Sequence, residues 1–378
     1  MRKGNESRGR RAIAFGALLI GFGLSGCGGE TQSLTTCEPA DGVDPVCGFM
    51  NPEDLALLPG GSWLAVSQMP KGLDASAATG SVIAWRPSDD RRVVLFPPPV
   101  GTAASVGTGP RWGDPACVGP PTPEDFGAHG IDVVRLDSGE TALAVVAHGT
   151  RETIQFFEFD WTADGPRASW RGCVQTPEGV WPNDVALRPN GEMVVSKMMS
   201  AGSSATGVLE AARMIFGMET GYVLSWAPGA GWNEIEGTRG AAPNGVAITA
   251  DGGEVFFAEW RGQRLVRVRR GEGDRVEVDA VELSSYPDNL SWTPDGRLLV
   301  AGQVGDWSEL IGCAQVEEGN CAAGFEVVRV DPSTLRTEVI LDHPGTATGG
   351  VSSALVMGDE LYVGTFSGDR VARVPYTP

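Results

Sequence analysis

The chain has 378 residues, 42% of them apolar, and a formal net charge of −19. That length suits two or three average domains or one extended β domain. So acidic a body excludes nucleic-acid binding through bulk charge; the acidity serves solubility and leaves cations welcome.

The N-terminus is an export signal. Arg2, Lys3, Arg8, Arg10 and Arg11 precede an apolar run from Ala12 to Leu24, and Leu24-Ser25-Gly26-Cys27 follows. A charged start, a short apolar stretch and a small-residue cleavage site have this meaning, and the stretch is too short to span a bilayer comfortably. Cys after Leu-Ser-Gly resembles a bacterial lipoprotein signal. That resemblance implies residues 1–26 as signal peptide and Cys27 as the lipidated first residue. The expected location is an exported, lipid-anchored protein on the outer membrane or facing the periplasm, with no other membrane contact. Removing residues 1–26 takes away five basic residues and Glu6, and the charge falls from −19 to −23. Residues 27–48 read as lipidated Cys and tether, and residues 49–378 as one domain.

Six further Cys stand at 37, 47, 117, 173, 313 and 321. An even number in an exported chain suggests disulfides but leaves their pairing open. Two local pairs, Cys37–Cys47 and Cys313–Cys321, would leave Cys117–Cys173.

The rest of the chain repeats one theme: polar residues, an apolar strand, a Gly-containing turn and a second apolar strand. The copies are EDLALLPGGSWLAVSQ from Glu53, HGIDVVRLDSGETALAVVAH from His129, NDVALRPNGEMVVSKM from Asn183, NGVAITADGGEVFFAEW from Asn244, DNLSWTPDGRLLVAGQ from Asp288 and SSALVMGDELYVGTFSGDRVARV from Ser352. Hairpin repeats of this size are the trace of propeller blades. They predict an all-β fold, a six-bladed β-propeller, closed by an early strand that the pattern does not place. Pro97 to Pro123 reads as a long surface loop. One stretch, Gly207 to Gly221, has helical spacing of Leu209, Ala212, Ile215 and Phe216. It is an inserted helix within the third blade, capping the ring or walling a site.

In a propeller the residues opening each innermost strand gather at one mouth of the channel. The leading pairs are Glu53-Asp54, His129-Gly130, Asn183-Asp184, Asn244-Gly245, Asp288-Asn289 and Ser352-Ser353. Converged carboxylates repel one another unless a cation joins them. Donors that are nearly all oxygen suit Ca²⁺, which takes roughly six to eight oxygens; Zn²⁺ would ask for more His or Cys.

The stretches PEDLALLPGG, AHGIDVV, WPNDVAL, PNGVAITADGGEVFFAEW, YPDNLSW and GGVSSALVMGDELYVGT, in this order, resemble the paraoxonase/arylesterase family of six-bladed, calcium-dependent lactonases. The resemblance runs from about Glu53 to Val374. It implies two axial calcium ions. One would be held by Glu53, Asn183, Asn244, Asp288 and Asn289, and a deeper one by Asp54, Asp184 and the carbonyl of Ile131. It also places His129 and His148 on the family's His pair, one activating water and the other orienting it. His343 reads as a turn residue. The chain departs from the family at Gln303, where the family has a further His. It departs again at the last strand, VARVPYTP, which lacks the Cys of the family's closing disulfide. The lipid anchor also stands where the family keeps an apolar helix.

The function implied is calcium-dependent hydrolysis of small lactones or aryl esters. No G-x-S-x-G and no H-E-x-x-H occurs, which argues against a serine esterase or a zincin. Two alternatives stand beside it: a gluconolactonase-like sugar-lactone hydrolase without the His pair, and a non-catalytic propeller stabilised by calcium.

Overall fold

The second strands of the repeats, such as Leu64–Gln68 and Leu298–Val304, are apolar on both faces, and nearly every residue in them is buried. A strand covered on both sides belongs inside a stack of sheets. Each repeat folds back at a glycine with positive φ; Gly296, at 78°, turns the Trp292–Leu298 hairpin. The computed structural model describes residues 33–71, 79–99, 101–200, 205–271, 273 and 275–377. The signal peptide, Cys27 and the first part of the expected tether lie outside the described residues.

Six sheets form the blades. The first comprises Pro52–Leu57, Leu64–Gln68, Ser81–Arg86 and Arg91–Phe96. The second comprises Gly127–Arg135, Thr141–His148, Thr153–Thr162 and Gly165–Gln175. The third comprises Trp181–Leu187, Met193–Met199, Tyr222–Ala227 and Gly231–Glu234. The fourth comprises Pro243–Ile248, Glu254–Glu259, Arg264–Arg270 and Val276–Glu282. The fifth comprises Tyr286–Trp292, Leu298–Val304, Gly324–Val330 and Thr337–His343. The sixth comprises Val351–Met357, Glu360–Thr365, Arg370–Pro375 and, from the other end of the chain, Asp44–Cys47. The first strands of consecutive blades touch one another, and the sixth touches the first, so the ring is closed.

Asp44–Cys47 is the closing strand. Part of the segment read as tether is therefore blade, and the propeller begins before residue 49. Cys37–Cys47 braces this strand. The buried Arg370 of the last strand donates to the carbonyls of Leu34, Thr36 and Ala347. These contacts hold the N-terminal segment where the resembled family uses a disulfide to the last strand. Cys117–Cys173 and Cys313–Cys321 also form.

The Pro97–Pro123 excursion is more than a surface loop. Trp112–Gly113 runs parallel to the outer strand of the second blade as a fifth strand, and Cys117–Cys173 fastens it there. Apolar side chains fill the gaps between blades. Between the first two, Phe96 meets Phe126 edge-on at 4.7 Å and lies 5.0 Å from Phe157.

Helix α1 covers Ala205–Ile215 and ends earlier than the sequence suggested. Its orientation is also a correction. The face turned to the body carries Glu210, which pairs with the buried Lys197 at 3.0 Å, while Leu209, Ile215 and Phe216 face outward. A buried cation needs a partner more than an apolar face needs cover. Helix α2, Trp307–Cys313, was not expected. Its signal was present in Asp306 and Glu309, which form a capping box.

Candidate active site

Every innermost strand slips register at its leading pair: between Pro52 and Asp54, Ala128 and Ile131, Pro182 and Val185, Pro243 and Val246, Pro287 and Leu290, and Val351 and Ser353. A bulge suspends the alternation of side chains and re-aims them locally. Pro52, Pro182, Pro243 and Pro287 stand just before four of the pairs, and proline is tolerated at such irregularities because no ladder N–H is lost. Glu53, Asp54, His129, Ile131, Asn183, Asp184, Asn244, Asp288 and Asn289 are all buried here.

The second members of the pairs alternate in size around the ring: Asp54, Gly130, Asp184, Gly245, Asn289, Ser353. The glycines make room for their neighbours. A Cβ on Gly130 would lie 2.6 Å from the Cα of Asp184, and one on Gly245 would lie 2.5 Å from the Cα of Asn289. Backbone cannot yield cheaply at that distance. Gly245→Ala is therefore expected to cost about 1–3 kcal/mol of stability, read from denaturant unfolding; an unchanged midpoint would refute this packing.

Side chains stitch one blade to the next. Asp54 accepts the N–H groups of Leu55 and, across to the second blade, Ile131, at 2.8 and 2.7 Å. Asp132 accepts from Leu187 of the third blade at 2.7 Å. Asp184 accepts from Val185 and from Val246 of the fourth blade, at 2.7 and 2.8 Å. Asn289 donates to Glu53 Oε1 at 2.7 Å, and Ser352 donates to the Glu53 carbonyl at 2.6 Å.

The upper and deeper sets of expected ligands differ in one respect. Glu53 Oε2, Asn183 Oδ1, Asn244 Oδ1 and Asn289 Oδ1 are buried and have no hydrogen-bond partner. An unmet buried acceptor costs about 1–3 kcal/mol, and here four belong to one short list of neighbouring residues. The fifth member, Asp288, accepts from Gln303 Nε2 at 2.6 Å and is hydrogen-bonded to Asn244. Such a set of bare oxygens fits a hard cation. The deeper carboxylates, Asp54 and Asp184, already serve as stitches, and each of their oxygens has a partner. Among the described residues no three His, Cys, Asp or Glu side chains form a metal-holding group, so an ion at this mouth would depend on the carboxamides.

Charge points the same way. Burial, then the charges of Asp54, Asp288 and Asp184, push the Glu53 carboxyl well above its ordinary range. Burial drives Asp54 and Asp288 to about 7 and Asp132 to about 6. Asp184 is raised by burial and then by Asp54. Asp132 was not singled out in the sequence, because an Asp within an inner strand reads as an ordinary polar position.

The two histidines are brought together. His129 Nδ1 lies 2.8 Å from His148 Nε2, and His148 Nδ1 lies 2.5 Å from Glu152 Oε2. His129 Nε2 is turned to Glu53, 3.9 Å from Oε1. Burial, then the neighbouring His148, holds the His129 imidazole well below its ordinary value of 6.5, so it stays neutral. Trp181 stacks on His148 at 5.0 Å. Sequence reading missed Glu152, which sits four residues after His148 in a connection without periodicity.

Gln303, where the resembled family has histidine, links Asp288 to Trp260: it accepts from the indole Nε1 at 2.9 Å while donating to Asp288. Trp260 lies 5.3 Å from Tyr286. Trp181 and the Trp260–Tyr286 pair thus flank the leading residues from different blades. His343 ends a strand instead of making a turn, and its Nδ1 accepts the Gly345 N–H at 3.1 Å.

No family profile matches the chain, and a search of curated proteins found no match. Solved structures do match. The chain is similar to a luciferin-regenerating enzyme, with TM-score 0.50 and 14% identity over 88% of this chain and 95% of that one. It is similar also to a gluconolactonase from Xanthomonas campestris, with TM-score 0.50 and 14% identity over 89% of each chain. What this likeness carries is the architecture: the chain is a six-bladed β-propeller of the kind seen in these enzymes.

Proposed function

We propose that the chain is a calcium-dependent hydrolase of small lactones or aryl esters, working at the mouth formed by the leading pairs. The observation that carries this reading is the set of four bare, buried oxygens on Glu53, Asn183, Asn244 and Asn289, beside Asp288 and facing a neutral histidine. These five residues would hold the ion. When bound, calcium polarises the ester carbonyl and offsets charge growing on its oxygen.

The chain's own groups supply the rest. His129 Nε2 faces the channel and takes a proton from water as the water attacks the carbonyl carbon. His148 fixes the ring of His129 through its Nδ1. Gln303 and Asn244 hold Asp288 in place. Trp181 on one side and Trp260 with Tyr286 on the other give apolar walls suited to a lipophilic acyl or aryl group. Helix α1 is not part of that wall, because its apolar residues point away.

The test is hydrolysis of a medium-chain γ- or δ-lactone and of a sugar lactone, with Ca²⁺ and with EGTA. The lipophilic lactone is expected to turn over, EGTA to abolish turnover, and Asp288→Ala to lower kcat/KM by about 10²–10³. Equal activity in EGTA would overturn the role of the ion. Turnover of the sugar lactone alone would move the reading to a gluconolactonase-like enzyme. No turnover, with calcium still raising the melting temperature, would make the propeller a calcium-stabilised binding protein.

A further inference from the structure

Glu152 lies in the connection between the second and third strands of the second blade, and that connection is pinned at both ends. At its start the Thr150 N–H donates to Asp125 Oδ1. At its end the Glu152 carbonyl accepts from the N–H and the hydroxyl of Thr176, at 3.1 and 3.2 Å. The carboxylate therefore has a fixed place, with one side toward His148 and the other partly open to solvent, 19% exposed. Trp181 holds the plane of the His148 ring, at an interplanar angle of 27°. Three groups in line, Glu152, His148 and His129, leave little freedom in where the protons sit.

We propose that Glu152 is a positioning residue that sets the tautomers of both histidines, leaving His129 Nε2 unprotonated toward the channel. The argument runs outward from the carboxylate. An ionised carboxylate only accepts hydrogen bonds, so His148 must present its proton on Nδ1. In the arrangement proposed the His148 ring carries that one N–H, so its Nε2 is an acceptor. The atom against it, His129 Nδ1, must then donate, and the lone pair of His129 remains on Nε2. The opposite arrangement sets a bare ring nitrogen against the Glu152 oxygen 2.5 Å away. Without Glu152 no hydrogen-bonded carboxylate selects between the two tautomers of His148, and those of His129 follow; Glu53 Oε1, 3.9 Å from His129 Nε2, is beyond hydrogen-bond reach. This is the general device by which the partner of one ring nitrogen decides the state of the other. The inference deepens the hydrolase reading by giving its base a defined lone pair, yet the proton pattern exists whether or not a lactone is the substrate.

The chain has three histidines, which makes the test direct. Histidine labelled with ¹⁵N in the full chain, with calcium chloride present, is expected to show His129 and His148 both protonated at Nδ1. His343, whose Nδ1 accepts the Gly345 N–H, serves as the internal contrast with its proton on Nε2. In Glu152→Ala, His129 and His148 are expected to lose the single pattern and show mixed tautomers, while the His343 signals stay. Glu152→Gln, which keeps an acceptor but not the charge, is expected to shift the His148 Nδ1 signal toward a weaker hydrogen bond. A proton on His129 Nε2 in the unaltered protein would overturn the proposal, whatever the variants do. An unchanged pattern in a folded Glu152→Ala would also overturn it. Lactone hydrolysis is measured separately, so failure of the hydrolase reading and failure of the tautomer lock are different results.

Discussion

His129→Gln is expected to lower kcat/KM for a lactone by about 10²–10⁴, with the melting temperature little changed. The glutamine amide keeps the size and polarity of the site but cannot take a proton from water. The loss should fall on kcat more than on KM, because the proton moves in the transition state. His148→Asn should produce a smaller loss, and the double variant should be little worse than His129→Gln alone, since the two rings act as one unit. The acid limb of the pH profile also follows from the site. Burial and His148 hold His129 well below 6.5. It is the neutral form that accepts a proton, so activity that depends on it persists below the pH at which an exposed histidine would be lost. A full-rate His129→Gln enzyme would remove this residue from the chemistry. An acid limb at or above 6.5 would mean that another group governs it.

The six-bladed ring and the gathering of its leading pairs were legible in the sequence, and the reason is physical. The leading pairs are repeated, and repetition in register with hairpins tells where the pairs gather even when no one copy is distinctive. The bulges that aim them are also written in the sequence, as Pro-Glu-Asp, Pro-Asn-Asp, Pro-Asn-Gly and Pro-Asp-Asn, though each could pass for a strand start. The closing strand Asp44–Cys47 was not legible. It is four residues long and has no periodicity to set it apart from a tether; only its neighbour in the sixth blade, Arg370–Pro375 from the other end of the chain, defines it. Helix α1 was found but turned the wrong way. Hydrophobic spacing assigned its inward face, whereas the ion pair between Lys197 and Glu210 decided it. Glu152 and Asp132 went unseen for a shared reason. Neither lies at a repeated position; Asp132 acts across a blade boundary on Leu187, and Glu152 acts on His148 from a connection without periodicity.

In the metal-free protein, stability is expected to fall as pH rises from about 4 to about 7, opposite to the usual behaviour of paired carboxylates. The sign follows from the direction of the shifts. Asp54 and Asp288 stand at about 7 in the folded chain against an ordinary 3.8, and Asp132 at about 6; Glu53 and Asp184 are raised as well. The folded state therefore holds protons that the unfolded chain has released. Its advantage is complete below the ordinary carboxylate value and is lost as pH climbs through the folded values. A cation bound by the ionised carboxylates reverses the trend, because binding requires the protons to leave. Calcium should then raise the melting temperature by roughly 5–10 °C at pH 8 and by little at pH 5. Melting curves from pH 4 to 8, in EGTA and in millimolar calcium, measure both effects. Two curves that coincide at every pH would mean that the carboxylates are not ion ligands and that their burial is sustained by the interblade stitches alone. A gap that widens as pH rises would identify the cation as the partner of the buried Glu53 and Asp288 carboxylates.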